Sequence, residues 1–219
     1  MSIQAVIFDL DGVICHTDHY HYLAWKALAD ELGIPFDETV NNRLRGVSRM
    51  ESLEIILERF SGPPLSETRK LELASQKNEL YREMLQQMSP ADLDQAVRAT
   101  LDHLRAMGLK LAIGSSSKNA PFILERIGLG DYFDEISDGN NISQSKPEPE
   151  VFLKAAEYLG LPTKACVVVE DAVAGVEAAH RASMVAIAIG DAGEQGAGEY
   201  QVQAFGELVR ICMSLKSSE

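Results

Sequence analysis

Apolar residues occur in two patterns along the chain, as short continuous runs and at helical spacing. The change from one pattern to the other divides the chain into two kinds of segment. Short apolar runs rich in valine and isoleucine end at polar residues, as buried parallel strands do. Segments with helical spacing separate these runs, which predicts strand–helix–strand units in a doubly wound, Rossmann-like parallel α/β sheet. The predicted strands cover residues 5–8, 109–113, 133–137, 165–169 and 185–189.

One interval lacks strands. Between residues 16 and 88 the apolar residues keep helical spacing, and glycine and proline interrupt them at turns. We therefore predict an α-helical cap domain at residues 16–88, inserted into an α/β catalytic core made of residues 1–15 and 89–219. The predicted helices cover residues 19–32, 37–44, 49–60, 66–88, 91–107, 119–127, 149–159, 172–182 and 205–215.

Composition limits the partners and the location of the protein. The 219 residues are 46% hydrophobic and 24% charged, as in soluble globular proteins. A net charge of −13 argues against nucleic acid, which requires clustered lysine and arginine. No apolar stretch reaches the length of a membrane span, and the first residues do not resemble a signal peptide. Cys15, Cys166 and Cys212 are distant and odd in number, which favours free thiols, and we expect a cytoplasmic protein.

Two carboxylates follow the first strand. Asp9 ends the run and Asp11 follows two residues later, so both point the same way at the edge where α/β proteins bind ligands. Gly12 then allows the chain to turn away. Crowded carboxylates favour a bound cation such as Mg²⁺, with one aspartate free to attack phosphorus and the other to transfer protons. Taken alone, Asp-x-Asp-Gly is as often a simple turn.

Polar groups of matching chemistry follow other strands. Three serines at 115–117 precede a helix, which is a typical anion site, and Glu170 with Asp171 offers further oxygen ligands. Lys146 stands beside Pro147 and Pro149, which constrain its direction, and can bind phosphate. Each feature alone has a structural explanation as a helix cap or a surface charge. Together, and each at a strand end, they favour metal-assisted phosphoryl transfer.

The order of these motifs resembles the haloacid dehalogenase superfamily of phosphotransferases over nearly the whole chain. The matching motifs are Phe-Asp-Leu-Asp-Gly-Val at 8–13, a serine-containing strand end, Lys-Pro-x-Pro at 146–149 and Glu-Asp at 170–171. The resemblance implies a core of that superfamily's type, an aspartyl-phosphate on Asp9 and general acid–base catalysis by Asp11. It also implies Mg²⁺ bound by Asp9, Asp171 and the Asp11 main-chain carbonyl, with Glu170 either as a further ligand or directly behind the ligands. The transferring phosphoryl group would be bound by Ser115, the Ser116 N–H and Lys146.

The predicted cap resembles that of the β-phosphoglucomutase family within this superfamily. The similar stretches are residues 44–53, His21 with Trp25, residues 76–81 and residues 116–122. The resemblance implies a hinge at Thr17, and His21 and Lys77 positioning Asp11. Trp25 is open to two interpretations, cap packing or a platform for the sugar. The implied ligands of a second phosphate are Arg49, Ser117, Lys118 and Asn119, and the implied sugar contacts are Gly46, Val47, Ser48 and Ser52.

Two positions depart from the family pattern: Arg45 replaces a lysine, and His16 replaces an acid. The resemblance implies interconversion of β-glucose 1-phosphate and β-glucose 6-phosphate through β-glucose 1,6-bisphosphate. A second anion site is what such a mutase needs, because the bisphosphate binds in two orientations. The alternatives are a sugar-phosphate phosphatase of the same superfamily and a non-catalytic phosphosugar-binding protein. We expect a monomer, since a moving cap fits poorly into a rigid interface.

Overall fold

The computed structural model describes residues 2–44 and 47–217, and a six-stranded parallel sheet forms its centre. The strand order is β3-β2-β1-β4-β5-β6, which places the first strand between β2 and β4. A reversal of strand order on either side of β1 creates a crevice at the carboxyl edge of the sheet. The strands are β1 (Ala5–Phe8), β2 (Lys110–Gly114), β3 (Glu135–Ser137), β4 (Cys166–Glu170), β5 (Val185–Ala188) and β6 (Tyr200–Gln201).

Among the described residues, five α-helices lie between β1 and β2, and we refer to the first four as the cap helices. They are α1 (Asp18–Glu31), α2 (Glu38–Asn42), α3 (Arg49–Leu57) and α4 (Glu67–Leu85). The helices that cover the sheet are α5 (Gln95–Ala106), α6 (Ala120–Arg126), α7 (Glu150–Leu159), α8 (Val173–Arg181), α9 (Gly190–Glu194) and α10 (Leu208–Lys216). Within residues 2–44 and 47–217, no helix is long and apolar enough to cross a membrane.

Successive residues of β1 serve opposite faces of the sheet. Val6 and Phe8 pack into one apolar cluster, with α5, α6 and α10, while Ala5 and Ile7 pack into another, with α7 and α8. This is the two-residue period of a strand buried on both sides. The cap helices enclose a third cluster that includes Leu28. The cap therefore has an apolar core of its own.

The predicted α/β fold is confirmed, and the described residues between 16 and 88 contain no strand. Two elements were not predicted, the five-residue helix α9 and the two-residue strand β6. Both are too short to show a hydrophobic period, and four glycines lie at 190, 193, 196 and 198. The predicted helix 91–107 begins later, at Gln95, because Ser89 and Asp92 cap a short 3-10 turn. All three cysteines are free and buried.

Truncation of Leu101 tests the packing of α5 against the sheet. Its side chain is fully buried on α5, whereas Leu153 on α7 is 41% exposed. We expect Leu101→Ala to lower the free energy of unfolding by roughly 2–5 kcal/mol. The matched control Leu153→Ala should change it by less than about 0.5–1 kcal/mol. Urea unfolding measures both, and equal losses would contradict the packing described here.

Candidate active site

The chain leaves β1 through a tight turn that brings it against the end of β4. Asp9 N–H donates to the Val169 carbonyl at 2.9 Å, and Gly12 N–H donates to the Cys15 carbonyl at 2.7 Å. Gly12 has φ +86°, and a Cβ at this position would lie 2.1 Å from Asp171 Oδ2. Only glycine fits such a contact and such a φ. The turn therefore brings the chain after Asp9 against Asp171 at the end of β4.

Three carboxylates converge where β1 and β4 end side by side. One oxygen from each of Asp9, Glu170 and Asp171 lies within 4.8 Å of the others. Burial raises the pKa of Asp171 to about 8, and the neighbouring carboxylates of Glu170 and Asp9 add to the effect. Burial and the Asp9 carboxylate likewise raise the pKa of Glu170. Buried, mutually repelling oxygen ligands fit a hard divalent cation such as Mg²⁺.

Backbone contacts fix the position of this acidic cluster. Ile189 N–H donates to the Glu170 carbonyl at 2.9 Å, and Ala192 N–H donates to the Asp171 carbonyl at 2.8 Å. Gly175 in α8 approaches Glu170 so closely that a Cβ there would lie 2.0 Å from its carboxyl carbon. The unpredicted helix α9 thus holds the main chain of Asp171, and Ile189, the residue before this helix, holds that of Glu170.

Lys146 compensates part of the negative charge of the acidic cluster. Its Nζ lies 2.5 Å from Asp9 Oδ1 and 2.8 Å from Glu170 Oε2, and the side chain is almost fully buried. Burial alone would lower the pKa of Lys146, but the two carboxylates outweigh it and hold the pKa above its usual range. The ammonium group is therefore charged, and it orients the Asp9 carboxylate.

The Asp11 carboxyl lies apart from the three clustered acids. Its Oδ1 accepts a hydrogen bond from the hydroxyl of Thr17, which is fully buried at the start of α1. Burial, and secondly the Asp9 carboxylate, raises the pKa of Asp11 to about 7. A carboxyl group with this pKa can take up and release a proton near neutral pH.

The cap presents a buried lysine to the cleft. Lys77 Nζ lies 2.8 Å from His21 Nδ1 and 4.7 Å from the ring centroids of both Trp25 and Tyr81. Burial lowers the pKa of Lys77 to about 7, and the charge of Arg49 adds to the shift. Burial, then the charge of Lys77, holds the pKa of His21 well below its usual range. His21 is therefore neutral and can accept from the ammonium group.

Arg49 is the first residue of α3. Ser48 caps this helix, since its hydroxyl accepts from Glu51 N–H at 3.3 Å and Glu51 Oε2 accepts from Ser48 N–H at 2.9 Å. Arginine is unfavourable at this positive end of a helix unless an anion compensates it. Among the residues that the structure describes, no carboxylate forms a salt bridge with Arg49. Partial burial lowers the pKa of its guanidinium.

The serine-rich loop after β2 is held by its own side chains. Ser115 Oγ accepts from Ser117 N–H at 3.1 Å, and Ser117 Oγ accepts from Asn119 N–H at 3.2 Å. The buried Ser116 hydroxyl has no hydrogen-bond partner among the described residues. These bonds give the loop a defined shape and leave one hydroxyl for a ligand.

A cavity of about 450 Å³ separates the cap helices from the strand ends. It brings together the predicted site residues of both parts of the chain. Thr17 lies behind Asp11 and does not line the cavity, and Gly46, like Arg45, lies outside the described residues. The predicted residues that line it are Asp9, Asp11, His21, Trp25, Val47, Ser48, Arg49, Ser52, Lys77, Ser115, Ser116, Ser117, Lys118, Asn119, Lys146, Glu170 and Asp171.

Five residues of α4 that were not predicted from the sequence also line the cavity, namely Leu71, Ala74, Ser75, Asn78 and Tyr81. Of these five, Asn78 and Tyr81 are the two nearest to Lys77 in the sequence that carry a polar group at the end of a longer side chain. They follow Lys77 at one and four residues along the helix, and residues four apart share a helix face. The position of Lys77 was therefore the signal that could have identified them. Trp25 combines its two interpretations, since it is almost fully buried in the cap cluster and also contacts the cavity.

The family follows from a comparison with known proteins. The model of the haloacid dehalogenase-like hydrolases matches residues 3–183. The chain belongs to this family. The match includes the turn after β1, the lysine and the two acids after β4, which are the groups that converge in the structure.

Individual relatives match this chain over most of its length. A β-phosphoglucomutase of Bacillus subtilis is 43% identical over 86% of this chain and 84% of its own. The solved structure of a β-phosphoglucomutase from Clostridium difficile superposes with a TM-score of 0.91, at 34% identity, over 98% of this chain and 97% of that chain. A phosphorylated carbohydrates phosphatase of Thermotoga maritima is 31% identical over 83% of this chain and 82% of its own.

The low pKa of Lys77 predicts a pH dependence of stability. An unfolded lysine titrates near 10.5, so above pH 7 the unfolded chain binds a proton that the folded chain lacks. Raising the pH from 7 to 9 should then stabilise the wild type relative to Lys77→Met, by up to about 1.4 kcal/mol per pH unit. Urea unfolding of both proteins at each pH measures this difference. A difference that stays constant would show that Lys77 is charged in the folded protein.

Proposed function

We propose that the protein is a Mg²⁺-dependent β-phosphoglucomutase, an isomerase that interconverts β-glucose 1-phosphate and β-glucose 6-phosphate. The observation that carries the proposal is one cavity with cationic groups on opposite walls. Lys146 lies with the acid cluster on the core side of the cavity. Arg49 lies on the cap side, and it forms no salt bridge with any of the residues that the structure describes. A sugar bisphosphate needs two such sites.

Asp9 is the proposed nucleophile. Its carboxylate, oriented by Lys146, attacks the phosphorus of the bisphosphate and forms an aspartyl-phosphate as the bond to the sugar oxygen breaks. Asp9, Glu170, Asp171 and the main-chain carbonyl of Asp11 would hold Mg²⁺, which when bound offsets the charge of the transferring phosphoryl group. Ser115, the Ser116 N–H and Lys146 bind the remaining phosphoryl oxygens.

Asp11 is the proposed general acid and base. It protonates the departing sugar oxygen in one half-reaction and takes the proton of the attacking hydroxyl in the other. The pKa of about 7 places both forms of the carboxyl group within reach at neutral pH. The Thr17 hydroxyl keeps Asp11 in one orientation. On the cap side, Lys77, paired with the neutral His21, is near enough to Asp11 for their charges to interact.

The cap supplies the second phosphate site and excludes water. We assign the distal phosphate to Arg49 with Ser117, Lys118 and Asn119, and the sugar to Val47, Ser48, Ser52 and Gly46. Residues 16–88 form the moving cap domain, residues 1–15 and 89–219 the core, and Thr17 lies at the hinge. Closure of the cap over the sugar protects the aspartyl-phosphate from hydrolysis between the half-reactions.

A sugar-phosphate phosphatase is the second candidate. The named activity of the Thermotoga relative favours it, and a phosphatase would use the same acid cluster. A phosphatase, however, needs only one phosphate site and access for water. The cationic cap wall formed by Arg49 has no evident use in that reaction.

Phosphorus NMR distinguishes the two activities. The protein is incubated with β-glucose 1-phosphate, Mg²⁺ and a trace of β-glucose 1,6-bisphosphate. We expect a growing glucose 6-phosphate signal, and Asp9→Asn should abolish it because the nucleophile is gone. Inorganic phosphate as the sole product would reject the mutase and support the phosphatase.

The cap-phosphate assignment predicts a selective defect in Arg49→Ala. Loss of a charge-assisted contact of roughly 1.5–3 kcal/mol should lower the mutase kcat/KM about 10- to 100-fold. Hydrolysis of a small aryl phosphate, which has no distal phosphate, should change little. Arg69→Ala is the control, because Arg69 is an exposed cap arginine paired with Glu72. Equal losses of both activities in Arg49→Ala would contradict the assignment.

A further inference from the structure

Side chains of the second half of α4, with the residues that follow it, contact α6 and its N-cap residue Asn119, and we call this set of contacts the α4–α6 seam. Asn119 Nδ2 donates to Asn78 Oδ1 at 2.9 Å, and the Arg82 guanidinium lies 4.9 Å from the centroid of the Phe122 ring. Further along, Arg126 donates to the Met88 carbonyl from Nε at 2.9 Å and from Nη2 at 2.6 Å. The contacting residues are four apart on the cap side (78, 82 and 86) and three to four apart on the core side (119, 122 and 126). Residues at these spacings lie on one face of a helix.

The two ends of the seam differ in their distance from the chain crossing. The bonds of Arg126 hold Met88 and Gln86, where the cap helices return to the core, so this end moves little when a cap turns about its linkers. Asn78 lies seven residues before the end of α4, about 10 Å along the helix. A rotation of the cap about its linkers would therefore break or form the Asn78–Asn119 bond together with the opening or closing of the cleft.

Asn119 belongs to the serine-rich loop that borders the cavity. The core side of this loop is braced by Gly139 N–H, which donates to the Ser117 carbonyl at 3.2 Å, and by Asn140 Nδ2, which donates to the Lys118 carbonyl at 3.0 Å. Asn78 adds a contact from the cap side. The loop is thus held between the two halves of the site.

The bond to Asn78 also orients the Asn119 side-chain amide, so that its NH₂ group, and not its carbonyl oxygen, points towards the cap. An amide NH₂ group has two hydrogens, so one can serve Asn78 while the other remains available to an anion. Without Asn78, the amide can rotate and present its carbonyl oxygen, which repels phosphate. Asn119 is only 4% exposed, so few other partners can replace the lost acceptor.

We propose that Asn78 is a positioning residue that latches the closed cap onto the distal-phosphate loop through Asn119. This inference rests on the proposed function and deepens it, since it links phosphate recognition to the exclusion of water. A closed latch protects the aspartyl-phosphate on Asp9. An open latch admits water, which attacks phosphorus, breaks the bond to Asp9 and yields inorganic phosphate with the proton passing to Asp11.

The test measures inorganic phosphate released per glucose 6-phosphate formed, for wild type, Asn78→Ala and Gln76→Ala. Gln76 is the matched control, because it lies on the same helix and donates to Glu31 within the cap at 2.6 Å. We expect the ratio to rise about three- to tenfold in Asn78→Ala, as for loss of one buried hydrogen bond, and to stay unchanged in Gln76→Ala. When Asn119 is already replaced by alanine, the additional substitution Asn78→Ala should raise this ratio little further, because the bond between the two residues is already lost.

Hydrogen exchange provides a readout that does not depend on the reaction. In the presence of inorganic phosphate and Mg²⁺, the amides of residues 117–119 should exchange several-fold faster in Asn78→Ala than in wild type or Gln76→Ala. A wild type that forms no glucose 6-phosphate would reject the proposed function, and exchange would still decide the latch. An unchanged product ratio with unchanged exchange in Asn78→Ala would overturn the latch, as would an equal effect of Gln76→Ala.

Discussion

Repulsion among buried carboxylates is the constraint on which this site depends. Asp9, Glu170 and Asp171 place oxygens within 4.8 Å of one another, and Lys146 contacts only the first two. Burial and the neighbouring carboxylates raise the pKa of Glu170 and Asp171, and a bound cation would offset the remaining negative charge. The parallel register of β1 with β4 imposes this arrangement, because Phe8 pairs with Val169 and the acids follow directly. The fold therefore builds a strained anionic site that Mg²⁺ and a phosphoryl group together relieve.

The cap side of the cavity complements this anionic centre with basic side chains, Lys77 and Arg49, whose pKa values depend on burial and on neighbouring charges. Burial lowers the pKa of both Lys77 and Arg49, and the charge of Arg49 lowers the pKa of Lys77 further. An anionic ligand between the walls would remove this penalty, so ligand binding and cap closure should favour one another. In the proposed mutase, the same coupling limits the access of water to the aspartyl-phosphate.

The sequence was sufficient to predict the parallel α/β core and the inserted helices, because long apolar periods and strand-end motifs carry that information. It was not sufficient for α9, whose glycines and five-residue length show no period, although α9 fixes the main chain of Asp171. Most of the predicted residues that line the core side of the cavity were predicted from motifs that follow strands, and those on the cap side only from the family resemblance. The Asn78–Asn119 contact was not, because the packing of α4 on α6 joins residues 41 positions apart.

The central claim is that the three carboxylates form one Mg²⁺ site whose charge Lys146 does not fully compensate. Calorimetric titration of Mg²⁺ into the protein tests it most directly. The account predicts binding at a single site, with affinity strongly reduced in Asp171→Asn, which keeps the shape of the side chain and removes its charge. Binding of equal affinity in Asp171→Asn, or no binding to the wild type, would contradict the account.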